Sequence, residues 1–439
     1  MTFSFRRKKA GSARKKVVLE SNSVMELTIP SHFRCPVSLD LMKDPVTLST
    51  GITYDRESIE KWIESGNEKC PVTNQILPSF DLIPNHAIRK MIQDWSVENK
   101  SYGIDRIPTP KIVLNSYDIS DISSKIRAAS KRGDAHKCQE LVRKINVCAK
   151  ESERNKVSII ENGVGYVLSA SFEAFTCLSM EKHEGLLEEI LSTLIWMFPL
   201  GSEGQSKLVA PSSLRCMAWL LKSKNLSTKQ NAVSVITELL FLDQQRASAL
   251  LEVDDDVLES LLNLIKEPIC PTSTKANSLL AIYYIVSLPK TSEIVTSKIV
   301  QLGIISLLLE ILVDSEKNLS QKALGVLDSL CSTYAGREKA RENALTVPVI
   351  VKKILRVSAA ATEFCVSILL KLCENGNGNV LIEALEVGGF QKVLVALQSG
   401  CREKTKAKAT ELLKMMNQNR KKVNCFESSV ELRYLKKSY

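Results

Sequence analysis

Residues 29–85 read IPSHFRCPVSLDLMKDPVTLSTGITYDRESIEKWIESGNEKCPVTNQILPSFDLIPN, the densest run of turn and strand signals in the chain. Asp44-Pro45-Val46-Thr47-Leu48 alternates apolar and polar side chains as a short strand does, and Thr50-Gly51 supplies a turn before a second strand at Ile52–Tyr54. Asp55 is expected to cap a helix through Glu64, with Ile59, Trp62 and Ile63 on one face and Gly66 as its stop. Asn85 is expected to cap a second helix, in which Ile88, Met91, Ile92 and Trp95 follow the spacing of an amphipathic face. Two loops, a hairpin and two short helices predict a very small α+β core.

Most of the other residues of the 439-residue chain are of a different kind, and length alone leaves room for two or more domains. After Gly103, the prolines at 108 and 110 disfavour helix and mark a linker. A helical pattern resumes at Ile122, Ile126 and Ala129, breaks at Gly133 and continues through Cys138, Leu141, Val142 and Ile145. From there the chain is almost entirely helical in pattern, and it repeats. QNAVSVITELL at 230–240 returns as NSLLAI at 277–282, KALGVLDSL at 322–330, FCVSILLKL at 364–372 and KATELL at 408–413. Aligned on the small residues Ala232, Ser278, Ala323, Cys365 and Ala409, the steps are 46, 45, 42 and 44 residues, the period of armadillo and HEAT solenoids. A second signature, a tight turn entering an apolar helix, recurs as ENGVGYVL at 161–168, VDDDVL at 253–258, LGIISLL at 302–308 and VGGFQKVL at 387–394. Glycine at this junction favours armadillo over HEAT.

The formal charge is +10, and residues 1–16 hold seven cations and no acid, which leaves +3 for the rest. Cys401 to the C-terminus adds eleven Lys and Arg against four Glu. The basicity therefore sits at the ends. FRRKKAGSARKK at 5–16 fits a nuclear-import signal or a contact for acidic lipid or nucleic acid, with a solvated tail as the plain alternative. Twelve cysteines at irregular spacings, mostly within apolar helical patterns, predict buried reduced thiols rather than a disulfide framework. No apolar run approaches the length of a membrane span, and the basic head lacks the apolar segment of a secretory signal. A soluble cytoplasmic protein is expected, with nuclear entry through the basic N-terminus as an option.

The motifs of the first stretch resemble those of the U-box, the zinc-free relative of the RING domain of ubiquitin ligases. They are Phe33-Arg34-Cys35-Pro36-Val37-Ser38-Leu39, Met42-Lys43-Asp44-Pro45-Val46, Gly51-Ile52-Thr53-Tyr54-Asp55-Arg56, Cys70-Pro71-Val72-Thr73 and Leu82-Ile83-Pro84-Asn85. A RING holds two zinc ions with eight ligands in paired Cys/His spacings. Between Ile29 and Trp95 only Cys35, Cys70, His32 and His86 are present, so neither zinc nor any cofactor is expected. Ser38, Asp44, Tyr54, Asp55, Arg56 and Thr73 are candidates to join the loops by hydrogen bonds and ion pairs instead. Trp196 and Trp219 are expected in the repeat core, and His136 and His183 have no metal-like spacing.

A U-box followed by armadillo repeats is similar to the plant U-box ubiquitin ligases. The fold class expected is mainly α: a basic tail over 1–28, a U-box over 29–103, a linker over 104–120, an armadillo solenoid over 121–420 and a basic tail over 421–439. The resemblance implies a ligase that holds a ubiquitin-conjugating enzyme on the U-box and a protein substrate on the armadillo groove. Ubiquitin then passes to a substrate lysine, or to the ligase itself, for degradation in plant stress or defence signalling. By resemblance, Val37, Trp62 and Pro71 form an apolar platform for the conjugating enzyme, flanked by Cys35, Pro36 and Val72. The family often carries a basic residue at the position of Asn74, where it closes ubiquitin onto its carrier. Asparagine donates hydrogen bonds there without charge. Cys35 lacks a His/Asp partner to activate it, so a packed core role and transfer without a covalent enzyme–ubiquitin intermediate are expected. The resemblance also admits a homodimer through the U-box, while binding of nucleic acid is not expected. The competing expectation is a non-catalytic armadillo adaptor, since a solenoid groove binds but has no built-in chemistry.

Overall fold

Two short apolar strands and the loops around them nucleate the N-terminal unit. β1 (Pro45–Thr47) pairs antiparallel with β2 (Thr53–Asp55), placing Val46 opposite Tyr54, and with the two-residue β3 (Ile83–Pro84) on its other edge. This is a computed structural model, and it describes residues 29–104, 107, 114–254, 256–288, 293–373 and 378–419. The tails expected over 1–28 and 421–439 lie outside the described residues.

α1 (Arg56–Glu64) and α2 (His86–Glu98) occupy the expected positions, and Val46, Tyr54, Ile59 and Ile92 form the centre of a common core. Asn85 caps α2, its side chain accepting from the Ile88 N–H at 3.0 Å. Two details differ from expectation. The Asp55 carboxylate does not cap α1; it accepts the N–H groups of Lys43 and Asp44 at 2.8 and 2.9 Å, so it serves the incoming loop. Met91 is 46% exposed, and the inward position of that helical turn belongs to Arg89, which is 5% exposed.

The second unit is a stack of helices. α3 (Ser116–Arg132) and α4 (Ala135–Glu151) are hinged at Gly133, whose φ of 69° a residue with a Cβ adopts only at a cost. Three-helix units follow. The first holds Glu153–Glu161, Val164–Leu178 and Glu184–Leu194, and the last holds Gly378–Glu386, Gly389–Gln398 and Glu403–Asn419. The repeated glycines Gly163, Gly303 and Gly388 start the middle helices in left-handed conformation, at φ of 71°, 84° and 78°. In the fourth copy of that turn Asp256 precedes the helix instead.

Five third helices, Leu226–Leu242, Thr272–Val286, Lys317–Leu330, Ala359–Leu372 and Glu403–Asn419, pack each on the next. Ala232, Ser278, Ala323, Cys365 and Ala409 are all fully buried in them, because close stacking leaves no room for a larger side chain. Hydrogen bonds run across the stack as well: Thr237 Oγ1 donates to the Asn277 carbonyl at 3.1 Å, and Lys371 Nζ to Asp328 Oδ1 at 2.7 Å. Trp196 and Trp219 pack half-buried against this core. Among the described cysteines Cys177 is exposed and Cys148 and Cys401 are half-buried; the others are buried free thiols.

The segment expected as a linker is shorter than its residue types suggested. Ile107 packs into the core of the first unit, and Leu114 into that of the second, its N–H donating to Asn155 Oδ1 at 3.1 Å. Helix α3 accordingly begins at Ser116, inside the 104–120 span, because a buried leucine and an Asn115–Asp118 capping box fix its start. No single described helix is long and apolar enough to cross a membrane.

Candidate functional site

The two Cys-Pro loops have the same backbone. In the first, the Cys35 N–H donates to the Asp40 carbonyl and the Leu39 N–H to the Cys35 carbonyl, at 2.9 and 2.8 Å. In the second, the Cys70 N–H donates to the Gln75 carbonyl and the Asn74 N–H to the Cys70 carbonyl, both at 2.9 Å. A hydroxyl near the tip accepts the next N–H in each: Ser38 from Asp40, and Thr73 from Gln75. Leu39 and Asn74 hold the matching left-handed positions, at φ of 62° and 59°. Cys-Pro-Val-Ser/Thr is thus one loop design used twice, with a buried thiol at its base and its valine turned outward.

Strand β2 ties both loops to one frame. The Asp55 N–H donates to Cys35 Sγ at 3.3 Å, and the neighbouring Tyr54 hydroxyl lies 3.1 Å from Cys70 Sγ. Thr50 Oγ1 donates to Cys70 Sγ as well, at 3.4 Å. Burial pushes both thiols up, but hydrogen bonds outweigh it: the Cys35 pKa falls below that of a free thiol, and Thr50, Thr73 and Tyr54 bring Cys70 down to about 6. Burial, with Cys70 beside it, pushes the Tyr54 phenol up. Cys35 is fully buried, so it has no surface to offer a partner; its thiol shapes the loop that presents Pro36 and Val37.

An ion-pair cluster holds the base of the first loop. Asp44 accepts from Arg56 Nε at 2.8 Å and from Arg89, so one carboxylate joins β1, α1 and α2. Nearby, the Asn85 amide donates to the hydroxyls of Thr47 and Thr53 at 3.2 Å each, locking β1 and β2 to the start of α2. Among the described residues no cluster of three or more His, Cys, Asp or Glu side chains is placed to hold a metal ion. Ser38 and Thr73 shape their own loops and do not bridge to the other.

The outward face is apolar. Val37 is 37% and Val72 54% exposed, with Leu39 and Ile76 exposed in the same two loops. Pro36 is exposed and Pro71 half-buried. Trp62 is half-buried rather than core, and its indole N–H donates to the Lys69 carbonyl at 2.9 Å, so the ring is anchored to the residue that precedes Cys70 at the entry to the second loop. The Asn67 amide then closes on the Trp62 carbonyl at 2.9 Å. Asn74 is exposed at the second loop's tip. Sequence reasoning missed Leu39, Ile76 and Arg89. The signal for Arg89 was present: a cation between Ile88 and Ile92 on an apolar helix face requires a buried acid.

Residues 29–101 match the family model of the U-box domain, and residues 118–436 match that of the plant U-box protein ARM repeat region. The chain belongs to the plant U-box proteins with armadillo repeats. U-box domain-containing protein 21 of Arabidopsis thaliana is 48% identical over 96% of this chain and 95% of its own length. The protein named E3 ubiquitin-protein ligase PUB22, also from Arabidopsis thaliana, is 32% identical over 89% of this chain and 94% of its own. A designed armadillo repeat protein overlays 53% of this plant U-box protein and 94% of its own chain, with a TM-score of 0.45 and 20% identity. The armadillo assignment rests on the family model.

Proposed function

We propose that this plant U-box protein is a ubiquitin ligase that recruits a ubiquitin-conjugating enzyme through Val37, Trp62, Pro71 and Val72 and binds its protein substrate on the armadillo solenoid. The observation that carries this is the paired apolar loops, pinned to one strand by two thiols, with a half-buried tryptophan fixed beside the second. Rigid, partly exposed aromatic and aliphatic groups are what a protein partner desolvates in an interface core. Both U-box thiols, Cys35 and Cys70, are buried, which speaks against a covalent relay through that domain. Chemistry therefore belongs to the conjugating enzyme's thioester, which a substrate lysine attacks, and the ligase acts by proximity and by orienting that bond. Asn74, at the exposed tip of the second loop, offers hydrogen-bond donors to ubiquitin. Transfer to substrate for degradation, a cytoplasmic setting and a part in stress or defence signalling complete the proposal.

Val37→Arg tests it in a purified self-ubiquitination assay with the full chain. Because Val37 is already partly exposed, the arginine is tolerated by the fold, yet it sets a solvated charge where an apolar contact must lose water. The expected result is a loss of about tenfold or more in rate, with the melting temperature within about 2 °C of wild type. Wild-type activity in Val37→Arg removes the platform assignment, and a wild type that never self-ubiquitinates with any conjugating enzyme points to a non-catalytic adaptor.

A further inference from the structure

The helix Thr346–Lys353 ends in two lysines and is followed by a turn with an unusual residue. Lys353 is half-buried, and its ammonium donates to Ser320 Oγ of the Lys317–Leu330 helix at 3.2 Å. Lys392, half-buried on the Gly389–Gln398 helix, sets its ammonium against the carbonyls of Val351 and Lys352 at 2.8 and 3.5 Å. The backbone N–H of Arg356 closes the turn on the Lys353 carbonyl at 3.1 Å, and both Arg356 and Lys352 are exposed. Four cations from two repeats therefore gather around one helix end.

Some cations in these repeats have acids to match, as Lys371 pairs with Asp328 at 2.7 Å and Arg402 with Glu363 at 3.6 Å, while others, such as Lys322 and Lys408, stand singly on neutral acceptors. Among the described residues none of these four makes such a pair, although the field of Asp314 reaches Lys353. Burial first, and then their neighbours Lys352 and Arg356, hold the pKa values of Lys353 and Lys392 down. Between the cations the chain places Leu355, 44% exposed and at a φ of 63°, a conformation that side chains rarely adopt. Thr362 Oγ1 holds that turn by accepting the Leu355 N–H at 3.1 Å. The helix-end carbonyls answer Lys392 in part, yet no carboxylate pairs with any of the four, and a cluster of like charges beside a strained and exposed leucine is the mark of a surface completed by a ligand.

We propose that this turn docks a phosphorylated serine or threonine of the protein substrate, with the phosphate held by Lys352, Arg356 and Lys392 and a neighbouring apolar residue placed on Leu355. The proposal rests on the substrate-holding role of the solenoid argued above. A phosphate monoester carries close to two negative charges and three acceptor oxygens, so it neutralises the cluster better than one carboxylate does, and Arg356 offers it a planar pair of donors. Two of the four cations, Lys353 and Lys392, are half-buried, which suits a single projecting side chain better than a plane of lipid headgroups.

The test uses the full chain and a fluorescein-labelled hexapeptide, Ala-Leu-phosphoSer-Leu-phosphoSer-Ala, read by fluorescence anisotropy. Its diglutamate and unphosphorylated counterparts are the other arms. The phosphopeptide is expected to bind at least about tenfold tighter than either counterpart. Lys352→Ser with Arg356→Ser is expected to weaken it by about tenfold or more, while Lys131→Ser with Arg132→Ser, exposed cations on α3, changes nothing. Absent phosphopeptide binding, equal binding of the unphosphorylated peptide, or equal loss in the α3 control overturns the proposal. So does a double variant that keeps peptide binding but loses binding to phosphatidylserine vesicles, which would mark a lipid surface. Self-ubiquitination of the double variant separates the two levels: it stays at wild-type rate if the docking site alone is lost. A wild type that binds phosphopeptide without self-ubiquitinating sinks the ligase reading and leaves the site standing.

Discussion

Asp44→Ala should unlock the U-box and leave the solenoid untouched. The Asp44 carboxylate is shared by two arginines whose side chains are only 16% and 7% exposed, while its own side chain is 34% exposed. Arg89 already keeps one buried N–H donor, at Nη1, without a partner, so the loss of Asp44 leaves a buried cation with nothing in its place. Breaking a buried pair by removing one member costs about 3–5 kcal/mol; because water screens a third-exposed carboxylate, about 2–3 kcal/mol is the figure expected here. A domain of roughly 75 residues has about 4–11 kcal/mol in all, so the change removes a large share of it. Native-state hydrogen exchange by mass spectrometry on the full chain reads this directly. Amides of β1 and α2 should exchange about 30- to 150-fold faster, and those of the Leu226–Leu242 helix at the wild-type rate. Asp44→Leu with Arg89→Met, which removes acid and buried cation together, should recover part of the loss. If β1 and α2 in Asp44→Ala exchange within about twofold of wild type, the pair acts as an ordinary surface contact and the loop frame must be held some other way.

Two further outcomes follow from the second loop. Asn74→Arg places a cation at its exposed left-handed tip and should speed single-turnover discharge of ubiquitin onto free lysine by about threefold, at a cost of about 1 kcal/mol in stability; no rise in a folded variant removes Asn74 from the ubiquitin contact. Cys70, whose pKa is brought down to about 6 in the folded domain, loses its proton before the unfolded chain does, near pH 8.5. Stability tied to it is therefore complete above about pH 8.5 and is lost as pH falls through about 6. Urea midpoints followed by fluorescence in a Trp196→Phe, Trp219→Phe background should rise across that window, and Cys70→Ser should flatten the rise; an equal slope in both would show that another group titrates.

The sequence alone determined most of what is periodic or local. Repeats about 44 residues apart, small residues in register and the glycines before three of the middle helices are short-range requirements of close stacking, so the solenoid was legible without coordinates. The same holds for the Asn85 cap and for the residue types of the two Cys-Pro loops. What only the tertiary structure decided depends on which chain segments meet. Asp55 has the residue type of a helix cap, and local rules cannot tell that two N–H groups from the preceding loop reach its carboxylate first. The place of Arg89 on an apolar helix face signals a need for an acid, but only the fold shows that Asp44, 45 residues earlier, is the one that meets it. Trp62 reads as core by spacing, yet its hydrogen bond to the second loop holds it at the surface. The cations of Lys352, Lys353, Arg356 and Lys392 come from two repeats, and only packing shows that they converge without an acid between them. Spacing along the chain records which face a side chain takes. Partners across the fold are set by long-range packing, which local sequence does not encode.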